Sequence, residues 1–193
     1  MMGKPVSAAG GALTVDGGLH HVLPTFAEVF RNELTYVWNT LRRLGIPTRD
    51  LEDVSHEVFV VVHRQLQGFD ASRPLRPWLF GIAYRCASSF RRRAGYRREA
   101  LGVEGPGEPT ATAPLPDEHL EREQRRALVW KALDTLPLDR RAVVVLHDFE
   151  GATAGDIAAS LEIPVRTVYS RLRVAREELA AAMRELRAKE ERR

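Results

Sequence analysis

One short stretch crowds together the side chains that read and grip nucleic acid. Arg166, Thr167, Tyr169, Ser170, Arg171, Arg173 and Arg176 lie around Val168, Leu172 and Ala175, which repeat at helical spacing. Short hydroxyl side chains near a helix start suit base edges in a major groove, and arginines suit phosphates and guanine. A second concentration is Arg85, Arg91, Arg92, Arg93, Arg97 and Arg98, a run with no acid among them. Such a run neutralises phosphates. A third is acidic: Asp50, Asp53 and Glu57 follow one another at helical spacing, with His56 beside them. Taken alone, that stripe is a solvated helix face with favourable charges near its N-terminus. Asp53, His56, Glu57 and His63 could together suggest a metal. A zincin helix, however, needs its second histidine at Val60, and a di-metal bundle needs matching Glu and Glu-x-x-His sets on other helices. Neither is found. No Gly-rich phosphate loop and no nucleophile–base set accompanies these residues, so the expectation is a binding protein with no catalytic residues, no metal and no cofactor.

The elements that must carry these side chains are all helical. Ile157, Ala158 and Leu161 give one short helix with a single buried face. Glu162-Ile163-Pro164 breaks it, and Pro164 suits the start of the next helix, where its missing N–H costs nothing. This is helix-turn-helix spacing. Upstream, Phe26, Val29, Phe30, Leu34, Val37, Trp38 and Leu41 predict a helix from about Thr25 to Gly45-Ile46-Pro47. Thr48 is a plausible N-cap for Arg49 to Leu66, with Leu51, Val54, Val58 and Val61 inward. Pro77 predicts the start of a third helix to about Arg98, burying Trp78, Leu79, Ile82, Ala83, Cys86 and Phe90. Leu120 to Leu136 and Asp139 to Phe149 read as two more, with Leu128, Val129, Ala132, Leu133, Leu136 and Val143 to Leu146 inward.

Between the two helical groups, residues 99–118 hold Gly102, Gly105, Pro106, Gly107, Pro109, Pro114 and Pro116, and every charge is acidic. That composition predicts a flexible acidic linker. The fold class is therefore all-α: two small helical domains on a tether. The expected divisions are a flexible leader over 1–20, a first domain over 21–98, the linker over 99–118, a second domain over 119–185 and a charged tail over 186–193. With 193 residues, 44% hydrophobic and 28% charged, the composition is that of an ordinary soluble protein. The net charge is only +3, so a polyanion would feel the local patches and not the bulk. A single cysteine, Cys86, excludes an internal disulfide and fits a reducing compartment. No apolar run suggests a membrane span or a signal peptide, and the cytoplasm is the expected location.

Four motifs in order carry a family resemblance. Asp53-Val54-Ser55-His56-Glu57-Val58-Phe59 resembles the Asp-x-x-Gln-Glu-x-Phe helix of extracytoplasmic-function (ECF) sigma factors. Arg76-Pro77-Trp78-Leu79-Phe80-Gly81-Ile82-Ala83 is similar to their Trp-Leu-x-x-Ile-Ala, followed by its arginine run. Leu136-Pro137-Leu138-Asp139-Arg140-Arg141 resembles their Leu-Pro-x-x-x-Arg, and the helix-turn-helix with Thr167-Val168-Tyr169-Ser170-Arg171-Leu172 completes the set. The resemblance covers roughly residues 25–98 and 120–182. It implies sigma domain 2 and sigma domain 4, and a protein that binds core RNA polymerase and directs promoter-specific initiation. Asp50, Asp53, His56 and Glu57 would meet the polymerase. Phe69, Arg73, Arg76, Arg85, Arg91, Arg92 and Arg93 would serve the −10 element as single strands. Arg166, Thr167, Tyr169, Ser170, Arg171, Arg173 and Arg176 would serve the −35 duplex. The implied partners are core RNA polymerase, promoter DNA and an anti-sigma factor, with no direct membrane insertion. His56 stands where the family usually has Gln, and Glu162 where many helix-turn-helix motifs have Gly. Arg85 stands where Asn is frequent, Val174 where Arg is common and Tyr169 where Arg or Lys is frequent, so the promoter sequences cannot be copied from a relative. The alternative is a conventional helix-turn-helix regulator, which accounts for the second domain but not for the first.

Overall fold

A computed structural model describes residues 23–101, 117–190 and 192, with side chains described over 23–95, 126–190 and 192. Among these every regular element is helical. The expected leader over 1–20 and most of the expected linker lie outside the described residues.

The first helix, α1 (Phe26–Arg43), starts where its sequence allows a reciprocal cap. The Glu28 N–H donates to Thr25 Oγ1 at 3.3 Å, and the Thr25 N–H donates to Glu28 Oε2 at 2.8 Å. Its core face is narrower than the apolar pattern: Val29, Val37 and Leu41 are buried, while Phe30, Leu34 and Trp38 stay more than a third exposed. Thr48 is not the expected N-cap. Residues Thr48–Asp50 form a 3-10 turn, and α2 (Leu51–Gln65) follows with no side-chain cap. Leu51, Val54, Val58, Phe59 and Val62 face inward, so Val62 takes the place expected of Val61. A further 3-10 turn, Leu66–Gly68, leads to the loop before α3 (Leu75–Leu101). That helix starts two residues before Pro77, which sits in the first turn, where its missing N–H is tolerated. These three helices pack on one another.

The second group is α4 (Asp117–Thr135), α5 (Leu138–Val144), α6 (Ala154–Leu161) and α7 (Val165–Glu190). Both α4 and α3 run into the stretch read as linker. After Val144 the chain widens into a π-helical turn, Val145–Phe149, in which Glu150 N–H reaches Val145 O at 3.1 Å. Val143 to Leu146 are fully buried. The Thr153 hydroxyl caps α6 by accepting the Asp156 N–H at 3.2 Å. Glu162 ends it in the left-handed region, at φ 56° and ψ 45°. Pro164 O then accepts the Thr167 N–H at 2.8 Å and the Val168 N–H at 3.3 Å as α7 begins. Long α7 lies against α4, α5 and α6 through Val168, Leu172 and Ala175.

The two groups are not separate bodies. α3 packs on α6, and the buried side chains form one continuous cluster through both.

Gly151 closes the π-helical turn at φ +70°, with nothing within 4 Å of the position a Cβ would take. Its substitution therefore isolates the backbone cost. Gly151→Ala is expected to lower the unfolding free energy by about 1 kcal/mol in urea denaturation, without loss of helix content.

Candidate nucleic-acid interface

On α7, Val165, Arg166, Tyr169, Ser170 and Arg173 form a continuous exposed face on the side away from Val168, Leu172 and Ala175. Tyr169 is 61% exposed, the most open large apolar side chain described. Arg166 makes no ion pair among the described residues. Thr167 is half-buried beside it. The other arginines of the set are held by carboxylates. Arg173 donates to Glu177 at 2.9 Å, one turn along. Arg171 approaches Asp139 of α5 at 3.3 Å. Arg176 grips Asp148 through both Nε, at 2.9 Å, and Nη2. That grip is the main reason the Asp148 carboxyl titrates below the ordinary aspartate range, with His147 helping.

On the first group, α2 and α3 enclose a cleft of about 410 Å³ lined by His56, Glu57, Val60, Val61, Ile82, Arg85, Cys86 and Ser89. It brings the acidic stripe and the basic helix to opposite rims of one groove. Arg93 of α3 donates to both Glu57 oxygens at 2.9 Å. Asp53 and His56 are exposed, and Asp50 is half-buried with Arg49 at 3.4 Å. Cys86 forms part of the lining. Burial, and secondarily the charge of Glu57, pushes its thiol up to about 11. It is therefore packing, not a reactive thiol, at neutral pH.

The remaining residues of the −10 set are spread along α3 and the loop before it. Arg76 donates to Glu33 at 3.0 Å and lies over the Tyr36 ring at 5.0 Å, while the Tyr36 hydroxyl donates to Arg76 O at 3.3 Å. Burial drives the Tyr36 hydroxyl strongly upward in pKa. The Asp70 carboxylate accepts the Ser72 hydroxyl at 2.7 Å and its N–H at 3.0 Å, fixing the loop that presents Arg73. Phe69, the aromatic of the −10 set, lies under the loop. It is 8% exposed and packs on Trp78 with ring centroids 4.8 Å apart, so it belongs to the core beneath the loop. Arg85 is exposed and donates to Glu162 of the helix-turn-helix at 3.2 Å. Arg92 is exposed, and Arg91 is half-buried near the Gly45 turn.

Sequence reasoning missed Arg141. Its side chain is completely buried, donating to Asp134 at 2.8 Å and to Leu136 O at 3.3 Å, and burial lowers its pKa to about 10. Nothing in its neighbours' types signals this. Its place as the last residue of the Leu-Pro-x-x-x-Arg pattern was the available hint.

Comparison with known proteins decides what this arrangement is. The model of sigma-70 region 2 matches residues 29–97, and that of sigma-70 region 4 matches residues 126–179, together well over half of the chain. The chain belongs to the sigma-70 family. Among its relatives, the ECF sigma-E factor of Escherichia coli K12 is 29% identical over 139 residues, covering 68% of this chain and 73% of that protein. RNA polymerase sigma factor NccH of Alcaligenes xylosoxydans xylosoxydans is 28% identical, covering 74% of this chain and 77% of its own length. ECF sigma factor SigE of Mycolicibacterium smegmatis is 32% identical over 81% of this chain, which spans 61% of that protein. CnrH, solved in complex with the cytosolic domain of CnrY, superposes with a TM-score of 0.56 at 27% identity, over 83% of this chain and 88% of CnrH. The Bartonella quintana sigma factor RpoE, solved with the anti-sigma factor NepR, shares the fold with a TM-score of 0.67 at 22% identity, over 82% of this chain and 96% of RpoE. The chain is thus an ECF sigma factor, a protein of transcription initiation that works with core RNA polymerase and promoter DNA. The conventional regulator is not favoured, because it leaves region 2 without a role.

The Arg176–Asp148 grip has a definite acid signature. Asp148 titrates below its ordinary value in the folded sigma factor, so the network's contribution is complete above the ordinary aspartate range. It is lost as pH falls through the depressed value. Arg176→Met should therefore be less stable than the parent in urea at about pH 7, with the difference shrinking toward about pH 3. An equal difference at both pH values would show that Asp148 gains nothing from Arg176.

Proposed function

We propose that region 4 reads −35 duplex DNA through the exposed α7 face, with Arg166, Thr167, Tyr169 and Ser170 toward base edges and Arg171, Arg173 and Arg176 toward phosphates. The observation that carries this is the division of α7 itself. A buried stripe of Val168, Leu172 and Ala175 fixes the helix, and the opposite face presents open polar side chains at its N-terminal end. Such a helix start is what enters a major groove. Region 2, on this reading, captures −10 bases as single strands along α3, with Arg73, Arg76, Arg85, Arg91, Arg92 and Arg93 on the backbone or the exposed bases and Phe69 supporting the loop from below. Asp50, Asp53, His56 and Glu57 form the polymerase-docking stripe.

The mechanism is binding and strand opening, without a catalytic residue, metal or cofactor. Domain divisions at residues 21–98, 99–118 and 119–185 go with it, the acidic linker threading through the polymerase. A cytoplasmic location accords with the single cysteine, and no helix among the described residues is long and apolar enough to cross a membrane. An anti-sigma factor is the further partner we assign, by analogy with the Bartonella quintana sigma factor RpoE, solved with the anti-sigma factor NepR.

Run-off transcription on fragments of the source genome, with bacterial core polymerase and with or without this protein, tests the reading. The expected result is new start sites that share −35 and −10 elements. Duplex binding without any core-dependent initiation would return the chain to the conventional regulators. On a promoter so mapped, Arg166→Ala should cost about 1–3 kcal/mol of −35 affinity and relax preference at one position. A uniform loss on every sequence, with a shallower salt dependence, would instead make Arg166 a phosphate contact.

A further inference from the structure

The start of α7 carries two apolar side chains that the fold does not use. Val165, its first residue, is 44% exposed, and Tyr169, one turn on, is 61% exposed. Neither belongs to the continuous buried cluster, which takes Val168, Leu172 and Ala175 from the same helix. At i and i+4 the two lie one above the other on the exposed face, and Arg173 continues their row at i+8. A single exposed apolar residue needs no explanation. A valine and a tyrosine in one row at the first turns of a helix, with Arg166 beside them and Arg173 beyond, form a patch with a specific occupant.

Its surroundings say what that occupant is. Two arginines on the same face call for a polyanion, and a helix that follows the turn of a helix-turn-helix puts its first turns into a major groove. There the edges of guanine, cytosine and adenine present only hydrogen-bond donors and acceptors, and the 5-methyl group of thymine is the apolar feature. A valine methyl or a ring face laid on a G·C edge displaces water from donors and acceptors and returns no hydrogen bond. Laid on thymine, it takes a methyl group out of water. At 1.5 Å per residue, Val165 and Tyr169 stand about 6 Å apart along the helix, close to two base-pair steps of about 3.4 Å. Resting on the reading of α7 given above, we propose that Val165 and Tyr169 recognise thymine through its 5-methyl group. The −35 element of this sigma factor then holds T·A pairs where the two side chains enter the groove. Selection works by exclusion as well as attraction, since a G·C pair in that place leaves its hydrogen-bonding groups unanswered.

Replacing thymine by uracil removes the methyl group and keeps the base pair. On a promoter mapped by run-off, holoenzyme assembled from this protein and bacterial core polymerase should bind about fourfold more weakly when a −35 thymine under the patch becomes uracil, the loss expected for one buried methyl group. Uracil placed between the −35 and −10 elements should change nothing. The double change Val165→Ala and Tyr169→Ala should bind the thymine and uracil promoters alike, which separates contact with the methyl group from any effect of that group on DNA shape. Both side chains are exposed, so circular dichroism should show unchanged helix content. Tyr169→Phe should retain the uracil penalty, because the ring and not the hydroxyl makes the contact. The proposal is overturned by equal binding of the two promoters in the parent, by a penalty that survives in the double variant, by loss of the penalty in Tyr169→Phe, or by a −35 element without a T·A pair. A promoter with a scrambled −35 element tells this failure from that of the reading beneath it. Weaker binding of the scrambled promoter with no uracil penalty removes the methyl contact alone, whereas undiminished binding removes the −35 role of α7 and the proposal with it.

Discussion

A buried guanidinium sets the terms for the seam between the two halves. Arg141 has no exposed surface, yet among the described residues it donates only to Asp134 and Leu136 O, and its Nε has no partner. A charge removed from water this completely costs several kcal/mol unless its partners make up the loss. Asp134 makes up part of it, and Arg91 nearby adds a like charge that works against it. Arg141 belongs to α5, so α5, the end of α4 and the Gly45 turn are tied to one side chain whose accommodation is incomplete. Such a joint holds the halves in a defined register without making their separation prohibitive.

The same economy runs over the surface proposed to face DNA. Arg76, Arg85, Arg93, Arg171, Arg173 and Arg176 each meet a carboxylate of the chain itself. Exposed ion pairs of this sort are worth about 0–1 kcal/mol each, so a phosphate can displace the carboxylate at little cost. While unoccupied, the pairs keep a cluster of like charges from repelling itself and hold the side chains near one orientation. Arg93 and Glu57 add a connection within region 2. The carboxylate that pairs with the basic helix also lies in the stripe proposed for polymerase docking, so a basic partner arriving at that stripe competes for Glu57 and leaves Arg93 to nucleic acid.

Much of this was legible in the sequence because periodicity reports which face of a helix is buried. Ile157, Ala158, Leu161, Val168, Leu172 and Ala175 are inward as their spacing requires, and Glu162 adopts the left-handed backbone that the turn demands. Periodicity says nothing of what covers a face, and there the reading stopped. Thr48 has the composition of an N-cap, but the preceding Pro47 enters a 3-10 turn and the cap is never formed. Phe69 gives no sign of its burial in the sequence, because its partner, Trp78, is nine residues away across the loop. The burial of Arg141 contradicts its charge and could be found only from the three-dimensional packing. Gly81 is the hardest case. A residue without a side chain leaves no pattern, and the group it makes room for, the Ser160 carbonyl of α6, belongs to a different half of the chain.

The make-up of the seam also explains why the two halves form one cluster and still deserve to be treated as separable. Within each half, helices meet along long apolar faces: Leu51, Val54, Val58 and Val62 on α2, Val168, Leu172 and Ala175 on α7. Across the seam the buried apolar cluster continues, and contacts of another kind are added to it: a carbonyl over a glycine, a guanidinium over a turn, and ion pairs at the margin. Apolar faces lose heavily on separation because their area returns to water. A glycine seat loses only the close fit, and ion pairs regain hydration on both partners. Separation at the seam leaves the helix–helix faces within region 2 and region 4 intact, and it is here that a protein placing one half on −35 and the other on −10 has to part.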